Sequence, residues 1–104
     1  MADVIWASAA FLVLETLPQA TAFGIVRQVD YLRRFPEMGS QIIRPRRMSK
    51  YRQLIYKRTY RTIYRFDELN NCVRVLNIQN CRQKLPTAEQ LKRAVKDEGE
   101  LPLE

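Results

Sequence analysis

Tyr60-Arg61-Thr62-Ile63-Tyr64-Arg65-Phe66 alternates between two kinds of side chain. In an extended chain successive side chains point to opposite faces, so Tyr60, Thr62, Tyr64 and Phe66 share one side and Arg61, Ile63 and Arg65 the other. The aromatic and β-branched content suits a strand. The spacing therefore predicts a strand over 59–66 whose aromatic side packs on a helix while its arginine side stays wet. Residues 51–56, and 72–79 with Val73, Val75, Leu76 and Ile78, have the same character on either flank. Lys57-Arg58 and the polar stretch 67–71 are links of hairpin length, and asparagine in the second tolerates the left-handed backbone region. Three consecutive strands thus form an antiparallel meander.

Further upstream the period changes. Val4-Ile5-Trp6 reads as a short buried strand joining one edge of that sheet, and 7–17 is a run of good helix formers ended by Pro18. Across 19–35, Ala22, Ile25, Val26, Val29, Leu32 and Phe35 recur at helical spacing, with Arg27, Gln28, Asp30 and Arg34 on the opposite side. Phe35-Pro36-Glu37-Met38-Gly39 stops this second helix. Downstream, Thr87-Ala88-Glu89-Gln90 has the form of a capping box, opening a helix over 87–98 whose Leu91, Ala94 and Val95 dock on the body before it frays near Gly99. The expected class is α+β: a helical hairpin packed on a small twisted antiparallel sheet in the order β-α-α-β-β-β, with a short C-terminal helix.

A chain of 104 residues, 46% hydrophobic with only 3 Gly and 5 Pro, suits one folded domain over 1–104 with one hydrophobic core, its essential part 4–83. There is no histidine, so imidazole-based catalysis is excluded, and two cysteines without histidine cannot furnish the usual zinc set. No metal and no cofactor is expected. Cys72 and Cys81, nine positions apart in a segment that would span roughly 30 Å if extended, are expected as thiols in a reducing compartment. The apolar run from Val4 to Leu14 is preceded by Asp3 and no cation, and it is too short to cross a bilayer. The expectation is a cytoplasmic protein without a membrane partner.

Charge is the most uneven property of the chain. Lys plus Arg total 18 against 11 Asp plus Glu, giving +7, and the region 44–65 holds Arg44, Arg46, Arg47, Lys50, Arg52, Lys57, Arg58, Arg61 and Arg65 without one acid. Arginine dominates, the cation suited to forked contacts with phosphate or carboxylate. Arg61 and Arg65, joined by Arg52 and Arg74 on neighbouring strands and by Arg82 just after the last, are expected to converge on one concavity that binds a polyanion. The plainer alternative is a sheet that merely carries arginine on its wet side. Tyr60 and Tyr64 belong to the packed side, whereas Tyr51 and Tyr56 are open to either packing or base stacking. In the first helix, Phe11, Leu12 and Val13 lie in an uninterrupted apolar run, which suits a protein partner unless the C-terminal segment covers them.

Taken together, the strand with Trp6, the hairpin ending in Phe35-Pro36-Glu37-Met38-Gly39, and the segments Ser49-Lys50-Tyr51-Arg52-Gln53-Leu54, Tyr60-Arg61-Thr62-Ile63-Tyr64-Arg65 and Val73-Arg74-Val75-Leu76 resemble the RelE/ParE toxin superfamily over 4–83. The resemblance implies the toxin of a two-gene toxin-antitoxin module, held inactive by an acidic, partly disordered cognate antitoxin. RelE-like members cleave mRNA on the ribosome, and ParE-like members poison DNA gyrase without hydrolysis. On the RelE pattern, Arg52, Arg61 and Arg82 match basic catalytic positions. The tyrosine near the C-terminus is missing, since no aromatic residue follows Phe66, and Asn80-Cys81-Arg82 lacks the histidine that many members show before this arginine. The 49–52 and 60–65 wording is closer to the ParE-like branch, which makes gyrase the expected target and mRNA cleavage, or plain nucleic-acid binding, the alternative.

Overall fold

The computed structural model describes residues 1–100, with side chains through Val95. In chain order the elements are β1 (Asp3–Trp6), α1 (Ser8–Thr16), α2 (Gln19–Asp30), β2 (Ser40–Gln41), β3 (Tyr51–Tyr56), β4 (Tyr60–Asp67), β5 (Cys72–Asn80) and α3 (Ala88–Glu100), with 3-10 turns at Tyr31–Arg33 and Arg46–Met48. The sheet runs β1-β5-β4-β3-β2. The α+β class and the meander agree with the sequence reading. Two details differ: β1 pairs with β5 in parallel, making the sheet mixed, and a two-residue β2 extends the far edge.

Strand β4 is central, and its alternation is real. Tyr60, Thr62, Tyr64 and Phe66 face the same side as Leu54, Val73, Val75 and Ile78, where α1 and α2 supply Ala10, Ile25 and Val29. The opposite side is not wet at its centre. Ile63 and Leu76 are fully buried there beneath Leu91 and Ala94 of α3, together with Ile42, Met48 and Tyr51. The sheet therefore separates two apolar clusters where one core was expected, because α3 closes the second face. Its capping box forms as read: Thr87 Oγ1 accepts from the Gln90 amide at 3.1 Å, and Gln90 Oε1 accepts from the Thr87 amide at 2.9 Å. The helix continues through Gly99 to Glu100.

A bulge in β5 lets one strand feed both clusters. Ile63 pairs with Asn77 and Tyr64 with Val75, so Leu76 is the extra residue, and Ile78 returns to the side of Val73 and Val75. Turn chemistry sets the other phases. Asn71 takes φ 49° where the second hairpin closes, as asparagine was expected to. In the first, Lys57 and Arg58 both adopt left-handed φ, 48° and 58°, and the Thr59 amide donates to the Tyr56 carbonyl at 3.0 Å. This backbone resembles a type I′ turn, for which Asn-Gly is the relaxed choice; a left-handed non-glycine residue costs on the order of 1 kcal/mol.

Tyr64 ties the first layer to the sheet. Its hydroxyl donates to the Pro36 carbonyl at 2.8 Å and accepts from the Gly39 amide at 2.9 Å. Gly39 has no room for a side chain, since a Cβ would lie 2.7 Å from the Gln53 carbonyl oxygen. Removing the hydroxyl leaves two backbone groups of the turn without their partner. Tyr64→Phe should lower stability by about 1–3 kcal/mol in urea unfolding. By contrast Thr62 is fully buried and its Oγ1 has no partner among the described residues, so Thr62→Val should hold or raise the urea midpoint.

Candidate functional site

The cations of the middle segment are sorted by β-strand register. Arg61 pairs with Ile55 and Gln79, and Arg65 with Tyr51 and Arg74, so Arg61, Arg65 and Arg74 occupy the second face together. Arg52 does not join them. It pairs with Tyr64 and lies on the first face, where its guanidinium donates to the carbonyls of Gly39 (2.8 Å) and Glu37 (3.3 Å) and meets the Glu37 carboxylate at 3.7 Å. The expectation of one hollow holding Arg52, Arg61, Arg65, Arg74 and Arg82 is thus corrected. Ile63, sealed by α3, lies between Arg61 and Arg65, whose Cα atoms are roughly 13 Å apart along the strand.

Each end of the second face has its own chemistry. At one end Arg61 Nη1 donates to Gln79 Oε1 at 2.8 Å, and Gln79 Nε2 donates to the Lys84 carbonyl at 2.9 Å, so the loop after β5 fixes the guanidinium. Arg61 Nε, and Gln53 Oε1 on the same face, are buried without partners among the described residues. The Cys81 amide donates to the Thr59 carbonyl at 2.8 Å, which brings exposed Arg82 beside the Lys57-Arg58 turn. Here is a held, half-buried guanidinium next to exposed cations, an arrangement able to stabilise anionic oxygens without reorganising.

At the other end Arg65 lies near Lys50, whose pKa is lowered first by desolvation and then by the positive charges of Arg65 and Lys92. Lys50 went unnoticed as a site residue in the sequence, where it was one cation among nine. Arg74 meets Asp67 at 3.5 Å. The Asp67 carboxyl is held below its ordinary 3.8, chiefly by a hydrogen bond from the Asn70 side chain, with Arg74 and Arg65 adding to it.

Tyr51, Tyr56 and Tyr64 are occupied by packing. Tyr51 is buried in the second cluster, Tyr64 in the first, and half-buried Tyr56 lies so close to α2 that a Cβ on Gly24 would clash with its ring. On α1, Phe11 and Leu12 are 48% and 62% exposed, while Val13 packs partly into the first cluster. Phe23, Tyr31 and Phe35 are also exposed, and Arg27, Tyr31, Arg34 and Phe35 line a cleft beside α2. The sequence reading placed Phe35 on the packed side of a helix extending to residue 35; the helix stops at Asp30, and that rotates Phe35 outward. Neither cysteine is in a disulfide, with Cys72 buried and Cys81 half-buried. Among the described residues no cluster suits a metal ion, and no helix is long and apolar enough to cross a membrane.

No protein-family model and no curated protein matches this chain. Solved structures do. The RelBE2 toxin-antitoxin complex from Mycobacterium tuberculosis aligns with TM-score 0.67 at 23% identity, over 76% of this chain and 96% of that one. The isolated RelE toxin of E. coli aligns with TM-score 0.68 at 14% identity, over 92% and 97%. An archaeal RelE-RelB complex from Pyrococcus horikoshii aligns with TM-score 0.55 at 17% identity, over 80% and 98%. The fold is that of RelE toxins, as the resemblance implied.

Burial raises the phenol pKa of both Tyr51 and Tyr64 above the ordinary 10.0, with Arg65 opposing the shift at Tyr51 and the Gly39 hydrogen bond opposing it at Tyr64. A folded pKa above the unfolded value contributes stability that is whole below pH 10.0 and is lost as pH rises through the folded value. Absorbance titration near 295 nm should therefore show late-ionising tyrosines coupled to unfolding, and Tyr51→Phe should make the alkaline decline of the urea midpoint shallower.

Proposed function

We propose that this chain is the toxin of a type II toxin-antitoxin module, neutralised by an acidic antitoxin and acting on a polyanionic target through Arg61, Arg65, Arg74 and Arg82. The RelE fold supports this, together with a net charge of +7 concentrated in a block that few carboxylates offset. The RelBE2 structure is of a toxin-antitoxin complex and the archaeal one of a RelE-RelB complex. An acidic amphipathic segment would lay apolar anchors on Phe11, Leu12 and the cleft at Tyr31 and Phe35, with carboxylates against Arg27 and Arg34. Its affinity should fall as salt rises.

For the target, the favoured reading is a non-hydrolytic, ParE-like block of DNA gyrase. One observation carries it: Arg52, a basic catalytic position on the RelE pattern, is engaged by Glu37 and Gly39 on the face opposite Arg61. With no histidine and no aromatic residue after Phe66, proton transfer to a leaving oxygen lacks its usual donors. Ribosome-dependent mRNA cleavage is the second reading, favoured by the likeness to the RelE toxin and by the cations Lys50 and Arg65 standing together at one end of the second face.

Induced expression without an antitoxin separates these readings. Gyrase poisoning gives an SOS response and filamentation, and mRNA cleavage gives immediate translational arrest with codon-phased transcript ends. Arg61→Ala and Arg82→Ala should each weaken target binding about tenfold, the value of one charge-assisted hydrogen bond, and relieve toxicity while the protein stays folded. Full toxicity in the double variant would refute the site, and harmless wild-type expression would refute the toxin reading.

A further inference from the structure

The Lys57-Arg58 turn spends stability in a way that packing does not explain. Both residues hold left-handed φ, both side chains are exposed, and neither they nor Arg82 takes part in an ion pair among the described residues. The Lys57 ammonium stands 5.6 Å from the centre of the Tyr56 ring, which restrains its direction. The Thr59 hydroxyl donates to the Lys57 carbonyl at 3.1 Å, and the Cys81 amide holds the loop bearing Arg82 against the same turn. One end of the sheet thus presents three solvent-facing cations on a backbone tied in place. An Asn-Gly turn would relieve the strain and forfeit two charges.

We propose that this end of the sheet is a docking surface for the phosphodiester backbone of double-helical DNA, contacted by Lys57, Arg58 and Arg82. The chemistry favours a duplex over a single strand. Single-strand sites combine cations with exposed aromatic faces, and the rings nearest the turn, Tyr56 and Tyr60, are both half-buried against the first cluster. A double helix hides its bases and offers phosphates outward, and the B-form major groove admits the end of a two-stranded ribbon, whereas the deep, narrow groove of A-form RNA does not. The proposal does not rest on the toxin reading, because direct DNA binding is measured on the purified chain.

The test is fluorescence anisotropy on a labelled B-DNA duplex of about 20 base pairs at a series of salt concentrations. Wild type should bind, with the logarithm of affinity falling linearly against that of salt. The double substitution Lys57→Asn and Arg58→Gly should melt at or above the parent temperature, yet bind more weakly and with a salt slope shallower by about two. Arg82→Ala should lower the slope by about one. Arg46→Gln with Arg47→Gln removes the same charge from exposed positions just before β3, at the end of that strand opposite the turn, and should leave the slope nearly intact. Equal loss in this control, wild-type affinity in the turn variant, or no duplex binding at low salt would overturn the proposal. Tighter binding to an RNA duplex or a single strand of the same sequence would overturn the assignment to DNA.

Discussion

Strand β4 has an interior on both of its sides, and that constraint governs the molecule. Tyr64 is fully buried in one cluster and Ile63, its neighbour, is fully buried in the other. A slip of one residue would exchange the two sets, driving Arg61 and Arg65 against the helical hairpin and Tyr64 away from the turn it secures. The Tyr64 hydroxyl adds a second lock, because only in this phase can it join Pro36 and Gly39.

The placement of charge follows from the same constraint. Once the centre of each face is apolar, arginines on the strands can stand only toward the ends or at an edge. Arg52 becomes part of the clamp on the 36–39 turn; Arg61 is held at one end by Gln79; Arg65 lies with Lys50 and Lys92 at the other. A block contiguous in sequence is thereby distributed over several parts of the surface, and among the described residues Arg52 is the one member of it that meets a carboxylate. Self-repulsion in such a body lowers its stability, and any ligand that binds only the folded chain raises it by mass action. Charge of this kind describes what a protein associates with more than how it folds.

Much of this was legible in the residues. Two-residue alternation in β4, helical spacing at Ile25 and Val29, the Thr87–Gln90 cap and the left-handed asparagine each express a local rule, and local rules are readable along a chain. The face of Arg52 was not. Reading Lys57-Arg58 as a two-residue link pairs Tyr56 with Thr59, whereas the actual partner is Tyr60, and this single position moves every residue of β3 to the other side relative to β4. Likewise the bulge at Leu76 and the parallel alignment of β1 depend on contacts between distant segments, and the burial of Ile63 depends on where α3 comes to rest. The solvent-facing position of Phe35 turns on where α2 stops, and chain ends of helices are weakly encoded.

The hairpin phase between β3 and β4 is the central claim, and at 12.3 kDa the protein is open to a direct reading of it by solution NMR. Nuclear Overhauser contacts from the Arg52 side chain should reach the Tyr64 ring and Gly39, while those from Arg61 reach Gln79 and Ile55. Contacts from Arg52 to Ile63 or Leu91 would contradict the register and, with it, the separation of the two arginine environments.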